Sequence, residues 1–223
     1  MPALLPKRMR REDSEQTEVA RYEDIEGRLR TGDLFVFHGV SAPARIIERM
    51  TRSRFSHVGM VMRPNASEPP QIWQSIPKGI ANALRADRAQ GARLDDLRDA
   101  MAVLTGPQFA NTPFLLSLQV RRGPEVEERA RQSVTAWEGA RFPSSLDFVI
   151  DWILGLLGIA TRDTTVDCSE LVALTWQRIG LLPRKPPANA YSPEDFSVRH
   201  RGLRLTPEAT LVSPVKILFT PAP

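Results

Sequence analysis

Short apolar runs with strand periodicity are set irregularly among helical segments in this chain, and that order constrains the fold most. Leu34-Phe35-Val36-Phe37, Ser56 to Met62, Gln71 to Ile76 and Phe114 to Val120 read as strands. Turn chemistry such as Thr31-Gly32-Asp33 and Pro77-Lys78-Gly79 bounds them. Helical readings fall on Tyr22 to Arg30, Ala44 to Met50, residues 82–100, the segment opened by Pro124, and Asp167 to Ile179. In residues 82–100, Leu84, Leu94 and Leu97 are the expected inward positions; after Pro124 they are Val126, Ala130, Val134 and Trp137. Ala209 to Phe219 adds strand-like residues, and no internal repeat is evident. Mixed rather than regularly alternating elements predict an α+β domain.

A chain of 223 residues can bury a sizeable core, and one compact domain is the default. The expected division is a flexible, charge-rich arm over residues 1–21 and a single domain over 22–223. A formal net charge of +4, with both signs spread along the chain, argues against nucleic acid as the main partner. The first eleven residues lack the order of charges and apolar run that marks a secretory signal, so a cytoplasmic location is expected. The one cysteine excludes an internal disulfide and makes a cysteine-based metal site implausible.

The longest apolar stretch, Leu146 to Ala160, is too short to span a bilayer comfortably and is interrupted by Asp151. A buried or domain-capping helix is the expected form, with a lid or a peripheral membrane contact through 146–160 as the alternative.

The clearest helix start is Asp167, with Glu170 three residues later completing a capping-box pattern. Cys168 is then the first helical residue, facing unpaired backbone N–H groups and the positive end of the helix dipole. That placement favours the thiolate and offers donors to an oxyanion. It equally suits a cysteine buried as a small hydrophobe. Of three histidines, His38 ends a strand, His200 lies in a basic loop, and His57 sits inside a strand on the face shared with Gly59. On the next strand, Gln74 has an amide oxygen able to accept an imidazole N–H, or it is simply a polar strand residue.

Three segments taken in order resemble a known family: Gly32-Asp33-Leu34-Phe35-Val36-Phe37, Phe55-Ser56-His57-Val58-Gly59-Met60-Val61, and Asp167-Cys168-Ser169-Glu170-Leu171-Val172. They are similar to the permuted NlpC-like proteins of the YiiX and YebB type, within the papain-like superfamily, with lecithin–retinol acyltransferases as distant relatives. The resemblance covers roughly residues 22 to 196 and includes Gly139 to Pro143 and Ser192-Pro193-Glu194-Asp195. It implies a circularly permuted papain-like fold, an antiparallel sheet packed against helices with the cysteine at a helix N-terminus. By position it makes Cys168 the nucleophile, His57 the base and Gln74 the third catalytic residue, where the family commonly has a carboxylate. The implied reaction is acyl transfer through an acyl-enzyme, for which no metal or organic cofactor is expected. A cysteine hydrolase of amide or peptide bonds is the first reading; a lipid-directed hydrolase or acyltransferase and a catalytically silent binding module are the others.

Overall fold

The computed structural model describes residues 18–39, 53–84, 90–161, 164–197 and 203–221. The helix expected over 44–50 and His200 lie outside them. The chain is a mixed α/β structure built on one mostly antiparallel sheet. Its strands are β1 (Val19–Arg21), β2 (Leu34–His38), β3 (His57–Met62), β4 (Gln71–Ile76), β5 (Gly91–Asp96), β6 (Thr112–Leu116) and β9 (Val215–Leu218). They run in the order β1-β9-β6-β2-β3-β4-β5, and only β1 and β9 pair in parallel. A separate pair joins β7 (Leu118–Gln119) to β8 (Thr210–Leu211).

The helices are α1 (Tyr22–Glu26), α2 (Lys78–Leu84), α3 (Leu97–Thr105), α4 (Pro124–Trp137), α5 (Ser145–Leu156) and α6 (Cys168–Ile179). Period-two alternation divides the apolar strand residues between two cores. Val36, Val58, Met60 and Trp73 pack with Leu171, Val172 and Trp176 of α6 and with Ala130 of α4. Phe35, Phe37, Val61 and Ile72 pack on the other face with Ile25 of α1 and with Leu97, Met101 and Leu104 of α3. Two side-chain hydrogen bonds tie the α6 region to β4: Trp73 Nε1 donates to Thr175 Oγ1 at 3.1 Å, and Ser75 Oγ donates to the Val166 carbonyl at 2.5 Å. Each satisfies a polar atom that the core would otherwise strand.

Several expectations need correction. Residues 82–100 are not one helix: α2 ends at Leu84, Gly91–Asp96 form strand β5, and α3 starts at Leu97. Their charge suggests a solvated helix, but Arg93 and Asp95 are buried and form an ion pair on one face of β5. Val19–Arg21, expected in the flexible arm, form a strand that pairs with Lys216 to Leu218. The run Phe114 to Val120 is two strands, one in each sheet. The apolar stretch after residue 145 does form a helix, but it is not buried: Leu146, Ile150, Ile153 and Leu156 are exposed.

The free side of β5 is covered by backbone. Ala92 N–H donates to the Ala140 carbonyl and Gly139 N–H to the Ala92 carbonyl, both at 2.8 Å. Gly91 allows this approach with φ of 112°, and a Cβ there would lie 1.9 Å from the Ala140 oxygen. Gly91→Ala is therefore predicted to lose about 2 kcal/mol or more of unfolding free energy in a urea titration. An unchanged midpoint would contradict this packing.

Candidate active site

His57 opens β3 and pairs in register with Phe37 of β2, the two rings lying 5.5 Å apart. Its ring is buried on the face that also carries Ile72 and Gln74. Gly59 keeps that face open: a Cβ there would meet the Ile72 side chain at 2.5 Å and the Gln74 Cβ at 3.5 Å. His57 Nε2 and Gln74 Oε1 are 2.9 Å apart. Behind the glutamine, its Nε2 donates to Asp95 Oδ2 at 3.0 Å. Arg93 in turn donates to both Asp95 oxygens, from Nε at 2.8 and 2.9 Å and from Nη2 at 2.6 Å. The four buried side chains form one line across β3, β4 and β5.

The direction of the line follows from which groups can donate. A carboxylate held by a guanidinium only accepts, so Gln74 must turn its NH2 to Asp95 and its oxygen to His57. That oxygen only accepts, so His57 carries its proton on Nε2 and leaves Nδ1 as the free basic nitrogen. Asp95 thus sets the imidazole tautomer from two residues away. Neither Asp95 nor Arg93 was singled out from the sequence. The available signal was their spacing of two, which puts opposite charges on one face of a strand.

Glutamine is the residue type this position needs, because it must accept from one neighbour and donate to the other. A glutamate would set two carboxylates within hydrogen-bonding distance, and one would have to take a proton. The variant Gln74→Glu is predicted to contain a carboxyl group titrating above its unfolded value. Its stability is then greatest below the ordinary carboxylate range and falls as pH rises through the raised value. Unfolding free energies of wild type and variant at pH 4 and pH 7.5 check this; a gap that does not widen with pH would contradict it.

Cys168 starts α6, which packs against β3 and β4. Three backbone N–H groups act on its thiol, those of Val58, Ser169 and Cys168 itself. Val58 follows His57 directly, so the thiol lies near the start of β3, but on the face that carries Val58. The His57 ring lies on the opposite face with Phe37, Ile72 and Gln74, and among the described residues no hydrogen bond joins it to the thiol. The N-cap forms as the sequence predicts: Asp167 Oδ1 accepts from Ser169 N–H at 2.7 Å, Ser169 Oγ at 2.6 Å and Glu170 N–H at 3.1 Å.

The expected thiolate, however, is not favoured in this resting arrangement. Burial first, and the neighbouring Asp167 carboxylate second, push the thiol up to about 12, against the opposing pull of the three N–H groups. Of these three donors the cap also engages the Ser169 N–H, so part of the positive helix end is spent on Asp167 while the Cys168 N–H is not. Burial also pushes His57 down to about 4, while its hydrogen bond to Gln74 acts weakly the other way. The resting pair is a neutral thiol and a neutral imidazole.

A folded value below the unfolded 6.5 means that the unfolded chain binds more protons as pH falls. The stability contributed by neutral His57 is present above about pH 6.5 and is lost as pH falls toward 4, by about 3 kcal/mol. His57→Phe, which cannot titrate, is predicted to lack that part of the acid destabilisation in urea unfolding followed across this window.

Among the described residues, no group of three or more His, Cys, Asp and Glu side chains is placed to hold a metal ion. No family model and no curated protein matches the chain. Among solved structures the chain is similar to the metalloprotein yiiX from Escherichia coli O157:H7, at 17% identity and a TM-score of 0.46, over 82% of this chain and 96% of that one.

Proposed function

We propose that the chain is a thiol hydrolase of amide or peptide bonds on a permuted papain-like arrangement, in which the histidine strand precedes the cysteine helix. Cys168 is the nucleophile, His57 the general base, and Gln74 the residue that orients the imidazole. The observation that carries this reading is the line from Arg93 through Asp95 and Gln74 to His57 Nε2, which leaves Nδ1 as the acceptor. General-base activation uses the tautomer that this line fixes, and it further requires the His57 ring to turn so that Nδ1 comes within hydrogen-bond reach of the thiol beside the Val58 N–H.

Chemistry starts from the neutral pair. Nδ1 takes the thiol proton as Sγ attacks the carbonyl carbon, and the imidazolium that forms keeps its Nε2–H on Gln74. Backbone N–H groups at the start of α6 are suited to hold the oxyanion. The imidazolium then protonates the departing nitrogen, the C–N bond breaks, and the acyl group stays on Cys168 as a thioester. Water, deprotonated by the same imidazole, attacks the thioester; the acid leaves and the thiol regains its proton.

The test uses p-nitrophenyl acetate as a generic acyl donor, followed by p-nitrophenolate release and intact mass. The expected result is one acetyl group per chain, located on Cys168 and absent from Cys168→Ala. Release by Cys168→Ala at the wild-type rate would overturn the proposal.

A further inference from the structure

We propose that α5 is a docking element for an anionic phospholipid surface. This inference does not depend on the thiol chemistry. At about 100° per residue, Leu146, Ile150, Ile153 and Leu157 fall within about 60° of one another on one side of the helix. They are 69, 47, 47 and 71% exposed, and Leu156 and Ile159 extend the apolar surface at 60 and 51%. Gly155 lies diametrically opposite Leu146. There the helix rests on the turn at Ala188–Ala190, where a Cβ on Gly155 would meet the Ala190 nitrogen and the Asn189 carbonyl carbon at 2.5 Å. Asn189 Nδ2 fixes the same contact by donating to the Asp151 carbonyl at 2.7 Å and the Ile159 carbonyl at 3.1 Å. The helix is therefore clamped along its back and turns its apolar row outward, instead of lying loosely over a core it fails to reach.

Charge next to the row selects the occupant. The chain runs from Ile159 directly into Ala160 and Thr161, which line a cavity of about 540 Å³ that also carries Arg129, Arg178 and Arg184. Pro187 and Ala188, from the turn that supports α5, line it too, so row and cavity share one platform. Three guanidinium groups against the single acidic Glu170 leave the cavity cationic. Asp147 and Asp151 lie on the flank of the helix, about 100° and 140° from Leu146. An apolar helical row whose chain continues into the lining of an arginine-bearing cavity matches the interface of an anionic bilayer, acyl chains meeting the row and phosphates meeting the arginines. The helix does not cross: no helix among the described residues is long and apolar enough to do so.

The full chain is floated with vesicles of phosphatidylcholine alone and of phosphatidylcholine with phosphatidylserine in equal parts, and its mass in solution is measured in parallel. The wild type is expected to float with the mixed vesicles and to lose that binding as salt is raised. Changing Ile153 and Leu157 together to glutamate should weaken flotation by at least about tenfold. Arg129→Gln with Arg184→Gln should remove the preference for the anionic vesicles. These positions lie on the surface, so circular dichroism spectra should match the wild type. No flotation with either vesicle, or equal flotation by the Ile153/Leu157 variant, would overturn the proposal. So would a wild-type dimer that this variant converts to monomer without any vesicle binding, because the row would then join two copies.

Discussion

A His57→Ala chain is expected to turn over p-nitrophenyl acetate at least about 10³-fold more slowly than the wild type, and Cys168→Ala to give no acyl-enzyme. The size follows from the state of the resting thiol. With its pKa near 12, Cys168 is almost never a thiolate at neutral pH, so attack depends on a base that removes the proton as the bond forms. A thiol already ionised by its helix end would lose much less on removal of the histidine. Steady-state rates of the two variants, normalised to folded protein, measure the effect. A His57→Ala rate within a few-fold of wild type would show that the imidazole takes no part.

The second large effect belongs to Asp95. Asp95→Ala leaves the Arg93 guanidinium buried without its counter-charge, which is expected to cost about 3–5 kcal/mol of unfolding free energy. Part of any loss of activity would then reflect unfolding. A paired change separates the two roles. Among the described residues Arg93 Nη1 has no hydrogen-bond partner even with Asp95 in place, so the ion pair is incompletely satisfied there. Such pairs are often replaced by apolar residues at little cost. Arg93→Met with Asp95→Leu should therefore recover most of the stability lost in Asp95→Ala. It should not recover the rate, because Gln74 is then free to present its NH2 to His57 and to drive the proton to Nδ1, the nitrogen that must stay unprotonated. Urea unfolding and kcat on the same two variants test this. Stability and kcat recovering together would mean that Asp95 acts on the fold alone.

What the sequence reveals differs from residue to residue. Strand periodicity places His57 and Gln74 on a common face, and their 2.9 Å contact is of the kind that this placement allows. Cys168 at a helix start is legible from Asp167 and Glu170. Its protonation is not, because it is set first by burial and then by the charge of the same Asp167 that marks the helix start. Asp95 and Arg93 were hidden for a related reason. Charged residues in a helix-favouring stretch read as solvated, and only their neutralisation across one strand face makes burial tolerable. In α5 the hydrophobicity is plain but its direction is not. An almost uniformly apolar run has no polar face to show which side meets the protein, and that side is set by the close approach at Gly155.

The pH dependence of acylation tests the central claim most directly. Pre-steady-state release of p-nitrophenolate should rise with pH through a single limb near pH 4, as His57 becomes neutral, and then stay level through pH 8. In His57→Ala the limb should vanish along with most of the rate. A rate that climbs tenfold per pH unit from pH 6 to 8, identically in wild type and His57→Ala, would mean that Cys168 reacts only as an isolated thiol, and the account would fail.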